Sequence, residues 1–377
     1  MKVLIAAGGT GGHIYPAIAI AKAISEYEDG AEIRFVGTDR GMEKTIVPNA
    51  GYQLETIRVK GFARKLSMDT IKSAKELVMG MLDAKRLIKN YDPDVVIGMG
   101  GYVCGPVLLI ASRMRIPTII HEQNAFPGAT NKLLSRFVDK VAISFPEAKR
   151  YFRDKDKVFL SGNPVRKEFF ETDKKSAREK FGFSEDDFVI VSAGGSLGAA
   201  SINNGMLELI KDKKDHDKIR IIHITGKANY ESFLEMLKQN SIDPDASPGI
   251  KVLPYSDHIY EIYSCADLVV SRAGAMSVAE LSATGTPAVL IPYPYATDNH
   301  QEFNARSLTD DGGGILILDS DLKQDSGILK STVDFLMENP EKLNNMKAAA
   351  AKKAIPQSDV IFYKEMKKII RSGKDGR

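Results

Sequence analysis

Twelve short apolar runs, separated by segments of helical periodicity, restrict the fold of this 377-residue chain more than any other feature. In the first half they are KVLIAA, EIRFVG, LETIRV, DVVIGM, PTIIHE and KVAISF; in the second, FVIVSAGG, IRIIHITG, IKVLPY, DLVVSR, PAVLIPY and GGILIL. Unbroken apolar runs suit strands buried on both faces, and regular alternation of such strands with helices gives parallel sheets covered by helices. Both halves open alike: VLIAAGGTGGH (3–13) and VIVSAGGSLGA (189–199) each leave a strand through a glycine turn and enter a helix.

This repetition predicts two Rossmann-like α/β domains in tandem. The seam falls near LSGNPVRKEF (160–169), where Gly162, Asn163 and Pro164 interrupt regular structure, giving domains 1–162 and 163–356. The tail from 357 to 377 reads as a helix that packs back on the first domain. Ligands of such sheets bind beyond the carboxyl ends of the strands, so two facing edges would make a cleft.

Composition, 43% hydrophobic and 27% charged, excludes a disordered or fibrous chain. Two cysteines, Cys104 and Cys265, fit a reducing compartment and give no metal-ligand spacing. MKVLIAAGG breaks into glycine before a leader's apolar core could form, so a cytoplasmic chain is expected. Val95 to Ser112 runs 18 residues without a charge, the length of a membrane span, but its glycines and Pro106 favour strand, loop and helix.

The net charge of +3 is unevenly spread: residues 1–162 hold 24 Lys and Arg against 17 Asp and Glu, the remainder 28 against 32. Residues 58–90 alone carry nine basic and three acidic side chains, with Ile71, Ala74, Val78, Met81 and Leu82 on or near one helical face. Such a segment is either a helix covering a sheet with a solvated lysine face or a basic, apolar patch resting on an anionic membrane. No nucleic-acid partner is expected.

The first glycine turn lacks the third glycine of a dinucleotide fingerprint and the Gly-Lys-Ser/Thr ending of a P-loop. Thr10, Gly11 and Gly12 still let backbone amides approach an anion at a helix N-terminus, with His13 at the rim to donate to a phosphate or take a proton. The plainer alternative is a tight turn with a capping histidine. GGYVCGP (100–106) and HEQNAFPGATNK (121–132) follow strands of the same sheet; they bring Tyr102, Glu122 and Asn124 to that edge, Glu122 as an acid–base group or a loop carboxylate. In the second half Ser196 repeats the anion-loop logic. Gly274 to Ser277 are small residues entering a helix, and Glu280 lies on that helix face, where a carboxylate could grip ribose hydroxyls. TDNHQ (297–301) adds hydrogen-bonding side chains to the same edge.

Together GGTGGHIYPA, GGYVCGP, HEQNAFPG, GNPVR, GGSLGA and SRAGAMSVAEL…DNHQEFNA resemble the MurG family, the N-acetylglucosaminyltransferases of peptidoglycan synthesis. The resemblance implies a GT-B fold, two Rossmann-like domains whose parallel sheets face an interdomain cleft. It implies transfer of GlcNAc from UDP-GlcNAc to the MurNAc 4-hydroxyl of lipid I with inversion, giving lipid II and UDP. Arg166, Ser196, Ser256, Ala275, Met276, Ser277, Val278, Ala279, Glu280 and Gln301 would bind the donor, Glu280 on the ribose and Gln301 on the sugar. Thr10, Gly11, Gly12 and Asn124 would reach donor or acceptor, and His13, Tyr102 and Glu122 match positions tied to acceptor binding or catalysis. His13 is the first candidate base and Glu122 the second, acting directly or by orienting the histidine. Backbone amides, the helix end before Ser277 and Arg166 would stabilise departing UDP, with no cofactor or metal. The chain departs from the family at Ser256, where isoleucine is usual, and at Cys104, where serine is usual. Expected partners are UDP-GlcNAc, lipid I, an anionic membrane surface on the cytoplasmic side and proteins of wall synthesis and division. Two rivals share the plan: a UDP-GlcNAc 2-epimerase and a non-catalytic UDP-sugar-binding scaffold.

Overall fold

Every apolar run of the sequence contributes a parallel strand in the computed structural model, which describes residues 1–59, 68–195, 198–325 and 327–375. The chain divides into two units, Met1–Pro164 with Gln357–Arg377 and Val165–Pro356. The first unit holds β1 (Lys2–Ala6), β2 (Glu32–Gly37), β3 (Gln53–Thr56), β4 (Val95–Gly98), β5 (Thr118–Glu122), β6 (Lys140–Ile143) and β7 (Val158–Leu160), in the order β3-β2-β1-β4-β5-β6-β7. β1 pairs in parallel with both β2 and β4. The three-residue β7 was not among the expected strands; its apolar residues follow the charged stretch RDKDK (153–157), and Leu160 is 42% exposed.

Alternate residues of β1 feed different cores. Leu4 and Ala6 pack with Val96, Val107 and Ile120, whereas Val3 and Ile5 pack with Ile14, Ile18 and Phe35. Burial on both faces is why these strands read as unbroken apolar runs. Helices on the two faces include α1 (Gly11–Tyr27), α2 (Glu43–Asn49), α3 (Met68–Tyr91), α4 (Cys104–Arg113) and α5 (Ala129–Leu134). The Val95–Ser112 segment is thus β4, a loop and most of α4, and among the described residues no helix is long and apolar enough to cross a membrane.

The expected apolar face of α3 needs correction. Among the described residues of α3, Gly80, Ala84, Ile88 and Tyr91 are buried, while Val78 and Leu82 are 57% and 54% exposed. They share the outer side with Lys85, Arg86 and Lys89. Residues 60–67 and the side chains of Ile71 and Ala74 lie outside the described residues.

The helix Ser358–Asp375 completes the first unit. Phe362, Met366 and Ile370, one helical turn apart, join the core that contains Val3 and Ile5. Tyr363 packs on Tyr27 with ring centres 5.3 Å apart and the planes tilted by 39°, and Lys367 Nζ and Tyr363 Oη both donate to Glu28 Oε2, at 2.6 and 2.7 Å.

The second unit repeats the plan with β8 (Phe188–Ala193), β9 (Ile219–Ile224), β10 (Ile250–Leu253), β11 (Leu268–Ser271), β12 (Ala288–Leu290) and β13 (Gly314–Leu316), ordered β10-β9-β8-β11-β12-β13. The helix Ala200–Lys213 buries Ile202, Met206, Leu209 and Ile210 against this sheet. In each unit the first strand is central and the chain reverses direction beside it, so each sheet has one switch point at its carboxyl edge: β1/β4 and β8/β11.

The final helix should be held by its apolar stripe rather than by its surface ions. Phe362→Ala should lower the stability of the first unit by about 3–5 kcal/mol, and Lys367→Ala by less than about 1 kcal/mol, both read from urea unfolding. Equal effects would refute that ranking.

Candidate active site

The first switch point is built from two glycine turns pressed together. β1 runs out through Ala7, Gly8, Gly9 and Thr10 into α1, and β4 through Met99–Val103 into α4. Gly100 and Gly101 have φ of +109° and +86°. A Cβ at Gly100 would come within 2.5 Å of His13 Cδ2, and one at Gly101 would strike the Gly8 backbone. Only glycine allows both the left-handed backbone and this approach. The His13 ring therefore lies against the β4 turn.

His13 Nδ1 sits 3.1 Å from Gly8 O and 3.4 Å from Thr10 Oγ1. A carbonyl oxygen only accepts, so Nδ1 carries the proton in that bond and Nε2 is the basic nitrogen. Thr10 is the N-cap in extended conformation, and the first-turn bonds begin with the His13 amide on Thr10 O at 3.1 Å. The Gly11 and Gly12 amides belong to the open end of α1, whose first turn carries no acidic residue, an arrangement suited to an anion. Tyr102, 62% exposed, stands on the neighbouring turn.

Cys104 is a structural thiol. Its Sγ accepts from Gly100 N at 3.2 Å and lies 3.2 Å from Ala6 O and 3.1 Å from Gly100 O, joining the two turns. Burial pushes it up to about 12.

Glu122, at the end of β5, is 2% exposed. Its Oε1 accepts from the Asn124 amide and side chain at 3.0 and 3.2 Å, and its Oε2 from Gly128 N at 3.1 Å and Asn131 Nδ2 at 2.8 Å. Four donors fill the four acceptor positions of a carboxylate. This geometry belongs to a group that shapes the HEQNAFPGATN loop. His121 beside it is buried, bonded to Gly162 O at 3.0 Å, and burial pushes it down to about 4.

In the second unit Gly274 is the N-cap of the helix Ala275–Thr284. Ala275, Met276, Ser277, Ala279 and Glu280 are partly exposed on the first turns, whereas Val278 is set apart. Its side chain is 2% exposed and its amide donates to Gly274 O at 3.0 Å, so it contributes to the core rather than to the open face. The Glu280 carboxyl is raised from an ordinary 4.5 to about 7, because burial disfavours its charge and the Arg166 guanidinium only partly compensates. Arg166 lies over the Phe169 and Tyr260 rings at 5.4 and 5.2 Å and donates to Asp257 O at 3.2 Å. Ser256, on the same loop as Asp257, accepts from His258 N at 3.1 Å. Ser196 lies outside the described residues.

The loop after β12 is held under strain. Asp298 and Asn299 are consecutive left-handed residues, φ +52° and +54°, directly before the helix that carries Gln301. Gln301 Oε1 accepts from Tyr293 N at 2.9 Å, which turns the amide's donor end away from that bond.

Three residues not singled out in the sequence anchor this edge. Arg272 donates to Ile291 O and Pro292 O at 3.1 Å each, to Asp319 Oδ1 at 2.6 Å and to Ser201 Oγ at 3.0 Å. Asp319 is 4% exposed and also pairs with Lys323. Asn304, fully buried, donates to Ala273 O at 3.2 Å beside the N-terminus of the helix Ala275–Thr284. Cavity volume is a poor guide to this chemistry: a cavity of about 840 Å³ lined by Arg34, Arg58, Asp83 and Tyr91 contains none of these residues.

Known proteins fit this arrangement. Residues 3–143 match the glycosyltransferase family 28 N-terminal domain and residues 189–360 its C-terminal domain. A protein of Acetivibrio thermocellus named UDP-N-acetylglucosamine–N-acetylmuramyl-(pentapeptide) pyrophosphoryl-undecaprenol N-acetylglucosamine transferase is 47% identical over 376 residues, covering 100% of both chains. The protein of that name from Thermoanaerobacter sp. is 46% identical over 98% of this chain and 100% of its own. This chain belongs to the MurG family of glycosyltransferases. The crystal structure of Acinetobacter baumannii MurG superposes with a TM-score of 0.78 at 29% identity, covering 97% of this chain and 99% of that one, and the fold is GT-B. A UDP-GlcNAc 2-epimerase from Neisseria meningitidis reaches a TM-score of 0.65 at 14% identity, a likeness of fold alone.

Glu280 should keep its proton to an unusually high pH. Titration of ¹³C-labelled glutamate, assigned with Glu280→Gln, should place its midpoint near 7, and Arg166→Ala should move it upward. Because the folded value is raised, this group subtracts stability as pH rises from about 4.5 to 7. A midpoint in the ordinary carboxyl range would remove the desolvation account.

Proposed function

We infer that this chain transfers N-acetylglucosamine from UDP-GlcNAc to the MurNAc 4-hydroxyl of lipid I, with inversion, and that His13 is the general base. The observation that carries the assignment of the base is the Nδ1–Gly8 carbonyl bond, which reserves Nε2 for an incoming hydroxyl. The hydroxyl oxygen attacks the anomeric carbon while Nε2 takes its proton, and the bond to the β-phosphate oxygen breaks with UDP as leaving group. Charge that develops on the diphosphate meets the N-terminus of the helix Ala275–Thr284 and the Arg166 guanidinium, with Ser196 as a further expected donor. Glu280 accepts from the ribose hydroxyls. Glu122 supports the reaction by holding its loop.

The membrane reading of the basic segment gains support from side-chain exposure. Val78 and Leu82 on α3, and Leu133 and Phe137 in and just after α5, are all between 45% and 57% exposed, with Lys85, Arg86, Lys132 and Arg136 on the same elements. Exposed apolar groups among cations suit the surface of an anionic bilayer, and hence a peripheral position beside a lipid-borne acceptor.

Two measurements test these assignments. With labelled UDP-GlcNAc and a lipid I analogue, label should enter the lipid only when acceptor is present, and His13→Ala should lower kcat by 10²–10⁴-fold with little change in donor KM; epimerisation of free UDP-GlcNAc instead would replace the transferase reading. Val78→Glu with Leu82→Glu should reduce sedimentation with phosphatidylglycerol vesicles while leaving turnover of a soluble acceptor intact, and unchanged sedimentation would remove α3 from the membrane surface.

A further inference from the structure

The peptide group that positions His13 is itself gripped from the other side. Glu43 opens α2 and is fully buried. Its Oε2 accepts from Gly9 N at 3.0 Å, and its Oε1 accepts from Thr38 N at 2.9 Å and Thr38 Oγ1 at 2.8 Å. These hydrogen bonds outweigh the cost of burial and hold the carboxyl below its usual range, so it is ionised at neutral pH. Room for it comes from missing side chains: a Cβ at Gly8 would lie 2.9 Å from Oε1, one at Gly37 2.5 Å from Cγ, and one at Gly41 would overlap the carboxylate.

The amide of Gly9 and the carbonyl of Gly8 are two ends of one planar trans peptide, and they point in opposite directions. Glu43 takes the N–H, and the carbonyl is thereby turned toward His13 Nδ1, 3.1 Å away. A carboxylate on the N–H end also polarises the peptide and makes its oxygen a better acceptor. The arrangement orients an imidazole with a buried carboxylate, as acid–base dyads do, with a peptide group inserted between the two.

We propose that Glu43 is a positioning residue for the transfer reaction, fixing the Nδ1–H tautomer and the ring orientation of His13 through the Gly8–Gly9 peptide. This rests on His13 being the base. No proton travels along the relay; its contribution is to present Nε2 as a lone pair in a fixed direction.

The test uses the full-length chain with ¹⁵N-labelled histidine, the His13 signals being assigned by their loss in His13→Gln. Wild type should show His13 as the Nδ1–H tautomer. In Glu43→Gln one arm of the side chain becomes a donor facing a donor, so the signal should move toward a tautomer mixture. The kcat should fall about 10–100-fold, and donor KM should stay within about twofold because Arg166, the helix Ala275–Thr284 and Gln301, which would hold most of the donor, belong to the other unit. Thr38→Val removes one of the three donors, keeps the carboxylate, and serves if Glu43→Gln does not fold; it should move tautomer and kcat in the same direction, kcat by about threefold. Unchanged tautomer and kcat in the folded variants would overturn the relay, even with His13→Ala inactive. A shifted tautomer alongside an active His13→Ala would instead remove the base assignment and leave the carboxylate–peptide–histidine geometry standing.

Discussion

A parallel sheet delivers all its strands to one edge, and where neighbouring strands send their chains to opposite sides a crevice opens that no other part of the sheet can offer. Both sheets share one order over six strands, the first adding β7 at its edge, and hence have one such point each. The space there is small enough that side chains have to be absent for backbone and ligand to approach. In the first unit the β1 and β4 turns touch through Gly8, Gly100 and Gly101; in the second, Gly274 opens the helix after β11. Loops of glycine have no stiffness of their own, and each is held by buried charge brought from elsewhere. Glu43 holds the first, and Arg272 with Asp319 holds the strand ends around the second.

The fold was legible because doubly buried strands leave an unbroken apolar signature, and twelve of the thirteen strands carried it. The exception, Val158–Leu160, is an edge strand that buries only Val158 fully. Candidate residues next to strand ends were legible for a related reason. Once topology places a carboxyl edge, every loop after a strand lies along it, and Thr10, His13, Tyr102, Glu122 and Glu280 follow from that rule before any side chain is seen.

What escaped was the support for those loops, because it comes from residues distant in sequence. Glu43 lies 34 residues beyond the Gly9 amide it holds, and Arg272 is 47 residues from Asp319. Glu43 sits in no motif, Arg272 lies in SRAGAMSVAEL with nothing in the sequence to pair it with Asp319, and a glutamate at the start of a helix reads as an ordinary favourable first-turn charge. Faces were misjudged where spacing alone chose them. The apolar Val78 and Leu82 of α3 point to solvent.

Under the proposed assignment, Glu122 and His13 differ in how far their hydrogen-bonding positions are already filled by the fold. Each oxygen of Glu122 accepts two hydrogen bonds from its own loop, so taking a proton would mean giving up donors that define the loop's shape. The order of the loop and the reactivity of the carboxylate are therefore in conflict, and the geometry resolves it in favour of order. His13 avoids the conflict because an imidazole has two separate nitrogens. Nδ1 is spent on a carbonyl that a buried carboxylate holds in place, and in the proposed reading the proton is taken by the other nitrogen. The first and second candidates for the base in the sequence differ, in three dimensions, by whether structure and chemistry must use the same lone pairs.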